Sequence, residues 1–87
     1  MVYSQENISD NKFKRVFSSD VSEKELVWHR DKENRIVEVI NDSDWEFQMD
    51  NELPIPLKKG VKLEIPKEVY HRVIKGSTDL VIMIEEY

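Results

Sequence analysis

The sequence predicts an all-β fold, a compact barrel or sandwich of about eight antiparallel strands. Two signals point there: short runs of alternating residues, and turn formers at intervals of about ten residues. A third is negative, since no stretch fits a long amphipathic helix. With 87 residues the chain suffices for one small domain with a thin core.

Residues 1–12 are polar and aperiodic and read as a flexible N-terminal arm or a loosely attached edge segment, with the domain proper at 13–87. Phe13, Arg15 and Phe17 alternate with Lys14 and Val16, which suits a short strand. Ser18 to Glu23 is turn material, and Ser22 with Glu25 fits a capping box, enough for a single helical turn. Seven further strands are expected at about Glu25 to Asp31, Arg35 to Ile40, Asp44 to Met49, Leu53 to Lys58, Val61 to Ile65, Val69 to Lys75 and Leu80 to Glu86. Tight hairpins should join them, because the connections are rich in turn formers. Pro54 and Pro56 flank Ile55, and proline cannot donate to a ladder, so that strand belongs at an edge. Val61, Leu63 and Ile65, with alternate positions of Leu80 to Ile84, are expected to supply much of the core.

Composition narrows the function. The chain has 18 acidic and 13 basic residues, a balance that argues against nucleic acid and anionic membrane surfaces as partners, since both require clustered Lys and Arg. No cysteine is present, so disulfides, thiolate zinc sites and thiol nucleophiles are excluded. A metal must therefore use histidine and carboxylate. Two glycines are too few for a phosphate-cradling loop, and no nucleotide, flavin or haem is expected. No stretch is apolar enough to span a membrane and the start is not signal-like, so a cytoplasmic location is expected.

Both histidines, His29 and His71, fall within expected strands. On an extended Trp28-His29-Arg30-Asp31 segment, His29 and Asp31 project from one face with roots about 7 Å apart. If His71 arrives from a distant strand on the same interior, His29, Asp31 and His71 form a two-histidine, one-carboxylate set. Such a set suits a divalent metal, Fe, Mn, Zn or Ni. Against this, a histidine in a strand is more often a locally hydrogen-bonded residue than a ligand.

Gly60, Pro66 and His71 stand in register with Gly, five residues, Pro, one residue, Gly, two residues, His, three residues, Asn. In this the chain resembles the second motif of the cupins, with Glu68 in place of the second glycine and Lys75 in place of the asparagine. The first cupin motif, His-x-His, three or four residues, Glu, six residues, Gly, is degenerate: His29 takes its first histidine, Asp31 its second, Arg35 its glutamate and Asp42 its glycine. The resemblance covers about Glu25 to Tyr87. It implies a single small cupin-like β-barrel of jelly-roll type with the site inside it, frequent metal binding and frequent homodimers, so a homodimer is expected.

Arg35 at the position of a ligand glutamate leaves two readings open. In one, Asp31 and Arg35 form an ion pair, the metal is lost, and the chain is a metal-free scaffold that binds a small ligand or a protein. In the other, His29, Asp31 and His71 hold the metal while Arg35 forks onto the carboxylate of a small substrate. Oxygenase, isomerase or lyase chemistry on a small carboxylated molecule then becomes the expectation, with the metal as Lewis acid or oxygen activator.

Overall fold

A computed structural model describes residues 2–87; of the expected N-terminal arm, Met1 lies outside the described residues. In chain order the elements are β1 (Tyr3–Ser9), β2 (Lys12–Phe17), a 3-10 turn (Glu23–Glu25), β3 (Arg35–Val39), β4 (Glu46–Met49), β5 (Ile55–Pro56), β6 (Lys62–Ile65), β7 (His71–Ile74) and β8 (Leu80–Glu86). They form two antiparallel sheets, one of five strands in the order β1-β2-β8-β3-β6 and one of three in the order β5-β4-β7. The all-β expectation holds. The closed barrel does not appear, because no ladder joins the edges of the two sheets among the described residues. Nor is any helix among them long and apolar enough to cross a membrane.

The two sheets pack their inner faces together. From the larger come Phe13, Phe17, Val37, Val39, Ile65, Leu80, Ile82 and Ile84, and from the smaller Phe47, with Trp45 and Leu57 beside it. Alternation sets these faces, since successive side chains leave a strand on opposite sides. Residues 61, 63 and 65 point inward as expected, although only Ile65 is fully buried. Trp45 is inaccessible, donates its indole N–H to Thr78 O, and packs at 5.7 Å from the Phe17 ring.

Four expectations need correction or refinement. Tight hairpins join β1 to β2 and β4 to β5, whereas β3 to β4, β5 to β6, β6 to β7 and β7 to β8 each cross between sheets. Turn residues specify a reversal of the chain and leave open which sheet receives the next strand. Residues 3–9 form a strand at the sheet edge, the second of the two forms read from the sequence; Tyr3 stacks at 5.4 Å on Phe17, and ladder bonds to β2 replace the missing periodicity. The strand expected at Glu25 to Asp31 is a 3-10 turn followed by irregular chain, attached to β7 through a single His29 to His71 bridge. Ser22 does cap that turn, accepting from Lys24 N. The proline-flanked strand shrinks to two residues and lies at an edge, as the missing donors require.

The β7 to β8 connection depends on one close approach. A Cβ on Gly76 would lie 2.2 Å from Asp44 Oδ1 and 2.7 Å from its carbonyl carbon, and backbone cannot yield as a flexible side chain does. Gly76→Ala is expected to cost about 1–3 kcal/mol, the range for forcing atoms into a filled space. A urea midpoint equal to that of the wild type would refute this. Asp44 accepts from the Ser77 hydroxyl, from Ser77 N–H and from Thr78 N–H. The hydroxyl and amide donors of Ser77 hold its carboxyl down to about 2, from an ordinary 3.8. Since the folded value is depressed, the Asp44 contribution to stability is present above 3.8 and is lost as pH falls through 2. An NMR titration of the Asp44 carboxyl carbon should show its midpoint near 2, and a midpoint at 3.8 would remove the claim.

Candidate metal centre

The His29 bridge builds the site. His29 N donates to His71 O at 3.0 Å and His71 N donates to His29 O at 2.8 Å, so main chain alone fixes the two residues side by side. Two residues on, Asp31 O accepts from Glu68 N at 2.7 Å. That second tie orients Asp31 on the same face as His29, as the alternation predicted. Glu68 makes the bond from a left-handed backbone, φ 65°. A non-glycine residue there costs roughly 1–2 kcal/mol. The sequence therefore departs from the cupin pattern in residue type at Glu68 while keeping a backbone conformation that favours glycine. Gly60, the motif's first glycine, also has positive φ, 88°, in the turn before β6.

The side chains converge. Ligand atoms of His29, Asp31 and His71 all lie within 4.8 Å of one another, and the two imidazoles stand 4.4 Å apart at 64°. Each ring is oriented alike: Nδ1 of His29 lies 3.0 Å from Val27 O, and Nδ1 of His71 lies 3.0 Å from Val69 O. A carbonyl can only accept, so these bonds assign the proton to Nδ1 and leave Nε2 with a lone pair, the arrangement of a metal-ligating histidine. His71 is buried against Phe47, while His29 is exposed. Burial is the largest influence on His71 and pushes its pKa down; nearby His29 and Arg35 act the same way, against the Val69 carbonyl and Asp31. The neutral ring is favoured.

Asp31 Oδ2 makes the fit to a cation testable. It is buried and accepts no hydrogen bond, although His71 Nε2 lies 3.2 Å away and Arg35 Nη1 3.1 Å away. With the His71 proton on Nδ1, the first approach sets lone pair against lone pair, which is unfavourable unless something positive lies between them. The residues present thus fit a divalent ion. Arg35 is the competing cation.

The donors of Arg35 point to acids of the protein itself. Arg35 stands directly opposite Glu86 on β8, and its Nε and Nη2 donate to Glu86 Oε2 at 2.9 and 2.7 Å, while Nη1 faces Asp31. Its fork is used within the protein. The Asp31 to Arg35 ion pair of the metal-free reading is therefore present, together with the convergent ligand set of the metal reading. Glu33 is exposed, like most turn glutamates. Tyr70 and Arg72, which flank His71, lie outside the site: exposed Tyr70 lies under Arg30 at 5.3 Å, while Arg72 covers Trp28 at 4.8 Å.

These groups open onto a cavity of about 270 Å³ between the sheets. Its lining is mostly apolar, with Phe17, Leu26, Leu57 and Val73 among the contributors, and it carries two residues the sequence reading left out of the site, Arg15 and Glu25. A signal for Arg15 was present: it occupies the middle of the inward row Phe13, Arg15, Phe17. Glu86 left the same trace, as the charged end of Leu80, Ile82, Ile84, Glu86.

No protein-family model matches the sequence, and no curated protein matches it significantly. Solved structures do resemble it. A cupin-like protein from Thermotoga maritima is 22% identical, with a TM-score of 0.69 over 95% of this chain and 65% of that one. A cupin-2 domain containing protein from Shewanella frigidimarina is 17% identical, with a TM-score of 0.69 over 100% of this chain and 83% of that one. The FeII form of HppE is 12% identical, with a TM-score of 0.69 over 87% of this chain. The chain spans 41% of the length of HppE and 36% of a DMSP lyase that it also resembles. The fold is that of the cupins.

Proposed function

We propose that this cupin-fold chain binds one divalent metal ion, Fe, Mn, Zn or Ni, through His29 Nε2, Asp31 Oδ2 and His71 Nε2, and acts on a small molecule held in the adjoining cavity. One observation carries the reading: both imidazoles are hydrogen-bonded to carbonyls through Nδ1, Nε2 of His71 lies 3.2 Å from a buried Asp31 oxygen that accepts no hydrogen bond, and the ligand atoms of all three residues lie within 4.8 Å of one another. The FeII form of HppE, a neighbour in fold, supports iron among the candidates. A bound divalent ion would supply Lewis acidity to an oxygen of the small molecule. The protein's own contribution is to fix the ligands through main-chain bonds, to hold both rings in one tautomer, and to surround the small molecule with apolar side chains. The reading extends to a barrel-like enclosure of the site by the two sheets, and to a homodimer, which a thin core in 87 residues favours.

Metal analysis of purified protein, followed by calorimetric titration of the chelator-treated chain with Mn2+ and Zn2+, tests the reading. One equivalent bound is the expected result. No stoichiometric metal together with no saturable binding would overturn it in favour of the metal-free scaffold, the alternative that the Asp31 to Arg35 ion pair supports.

A further inference from the structure

The charges around the cavity identify a ligand class. Arg15 lies on β2 with its side chain in the inward row, and its guanidinium stands 4.0 Å from the Tyr3 ring centre and 5.0 Å from that of Phe13. Its Nε donates to Gln5 Oε1 at 2.9 Å. Among the described residues no carboxylate pairs with it, and its two terminal nitrogens donate to no protein acceptor. Arg35, the residue first expected to meet a substrate carboxylate, has its donors directed to Glu86 and Asp31. Arg15 is thus the cation on this lining with donors to spare.

The electrostatic balance agrees. Arg15 and Arg35 face Glu25, Asp31 and the Arg35 partner Glu86, so the arginines and carboxylates together leave one negative charge. A divalent ion turns that into one positive charge, which a single carboxylate would neutralise. The rest of the lining is apolar and the volume is small, so the group attached to the carboxylate must be a short apolar body.

We propose that Arg15 is the specificity-determining anchor for a carboxylate, and that the cavity selects small monocarboxylates with an apolar body. The ligand-binding part of the proposed function is assumed here, but the contact with Arg15 does not require the metal. The guanidinium presents its free edge to the carboxylate as a two-point fork while it rests over the Tyr3 and Phe13 rings. Gln5 holds the Nε edge and so directs the terminal nitrogens.

The test compares pentanoate with its neutral isostere pentanamide by titration of the full chain, once after chelation and once loaded with Mn2+. Wild-type protein is expected to bind pentanoate at least about tenfold more tightly than pentanamide. Arg15→Gln should erase that preference and Arg15→Lys should keep only part of it. The Arg15 Nε–H resonance should move with pentanoate and not with pentanamide. That wild-type signal decides the matter even where the glutamine variant fails to fold. Equal binding of the two probes, binding of neither, a preference that survives in Arg15→Gln, or an unmoved resonance would each overturn the proposal. If no metal binds yet the preference remains dependent on Arg15, the anchor stands and the metal reading alone fails.

Discussion

His71→Ala is expected to abolish stoichiometric metal and to weaken Mn2+ binding by more than the roughly 10–100-fold that loss of an outer-shell partner costs. The imidazole is one of three ligands, it is buried, and its orientation is fixed by Val69 O, so no neighbouring group can take its place. Its bridge to His29 uses only main-chain atoms and survives the substitution. His29→Ala provides the control for folding. That ring is exposed, so its removal should leave the melting temperature nearly unchanged while also eliminating metal. Calorimetry with Mn2+ on both variants, beside circular dichroism melts, measures the two effects separately. Affinity in either variant within a factor of three of wild type would show that the histidines are hydrogen-bonded residues and no more.

Arg35→Met is expected to move stability and metal affinity in opposite directions. The guanidinium is 11% exposed and serves two acids, Glu86 and Asp31, themselves 24% and 16% exposed. Removing one partner of a largely buried network strands the others, which costs about 3 kcal/mol in the metal-free protein. A marginally stable small domain would lose a large part of its folding free energy. At the same time Asp31 Oδ2 loses the cation that competes for it, so the affinity for a divalent ion should rise by about tenfold. Urea unfolding with and without Mn2+ reads both quantities, because metal that binds the folded state shifts the midpoint according to its affinity. A fall in metal affinity would mean that Arg35 assists the site instead of opposing it.

These two variants bear on the central ambiguity of the molecule. Ion pair and ligand set share one atom, Asp31 Oδ2, with Arg35 on one side and His71 on the other. Which cation the oxygen prefers is a competition between a fixed guanidinium and a mobile divalent ion. The His71 ring, favoured in its neutral form by burial, leans toward the ion, since it offers the oxygen no proton of its own.

What could be read from the sequence was whatever depends on local pattern. Alternation fixed which side chains point inward, and so assigned Ile65, Leu80, Ile82 and Ile84 to the core and placed His29 and Asp31 on one face. The two prolines put β5 at an edge, and the spacing of Gly60, Pro66 and His71 pointed to the fold. Local pattern left residues 1–12 open between an arm and an edge segment, since a polar strand needs only ladder partners, and it failed at 25–31, where one backbone bridge stands in for a strand.

Partnership was decided by the tertiary structure. Three inward rows each carry a charge among apolar residues: Arg15 between Phe13 and Phe17, Arg35 ahead of Val37 and Val39, and Glu86 after Ile84. The rows are visible in the sequence, but their meeting is not. The register of β3 against β8 sets Arg35 opposite Glu86, which commits the one arginine and leaves Arg15 on β2 with free donors. Inside versus outside follows from the two-residue period of a single strand, whereas the choice of ion partner follows from pairings between residues some 50 positions apart, which no local period encodes.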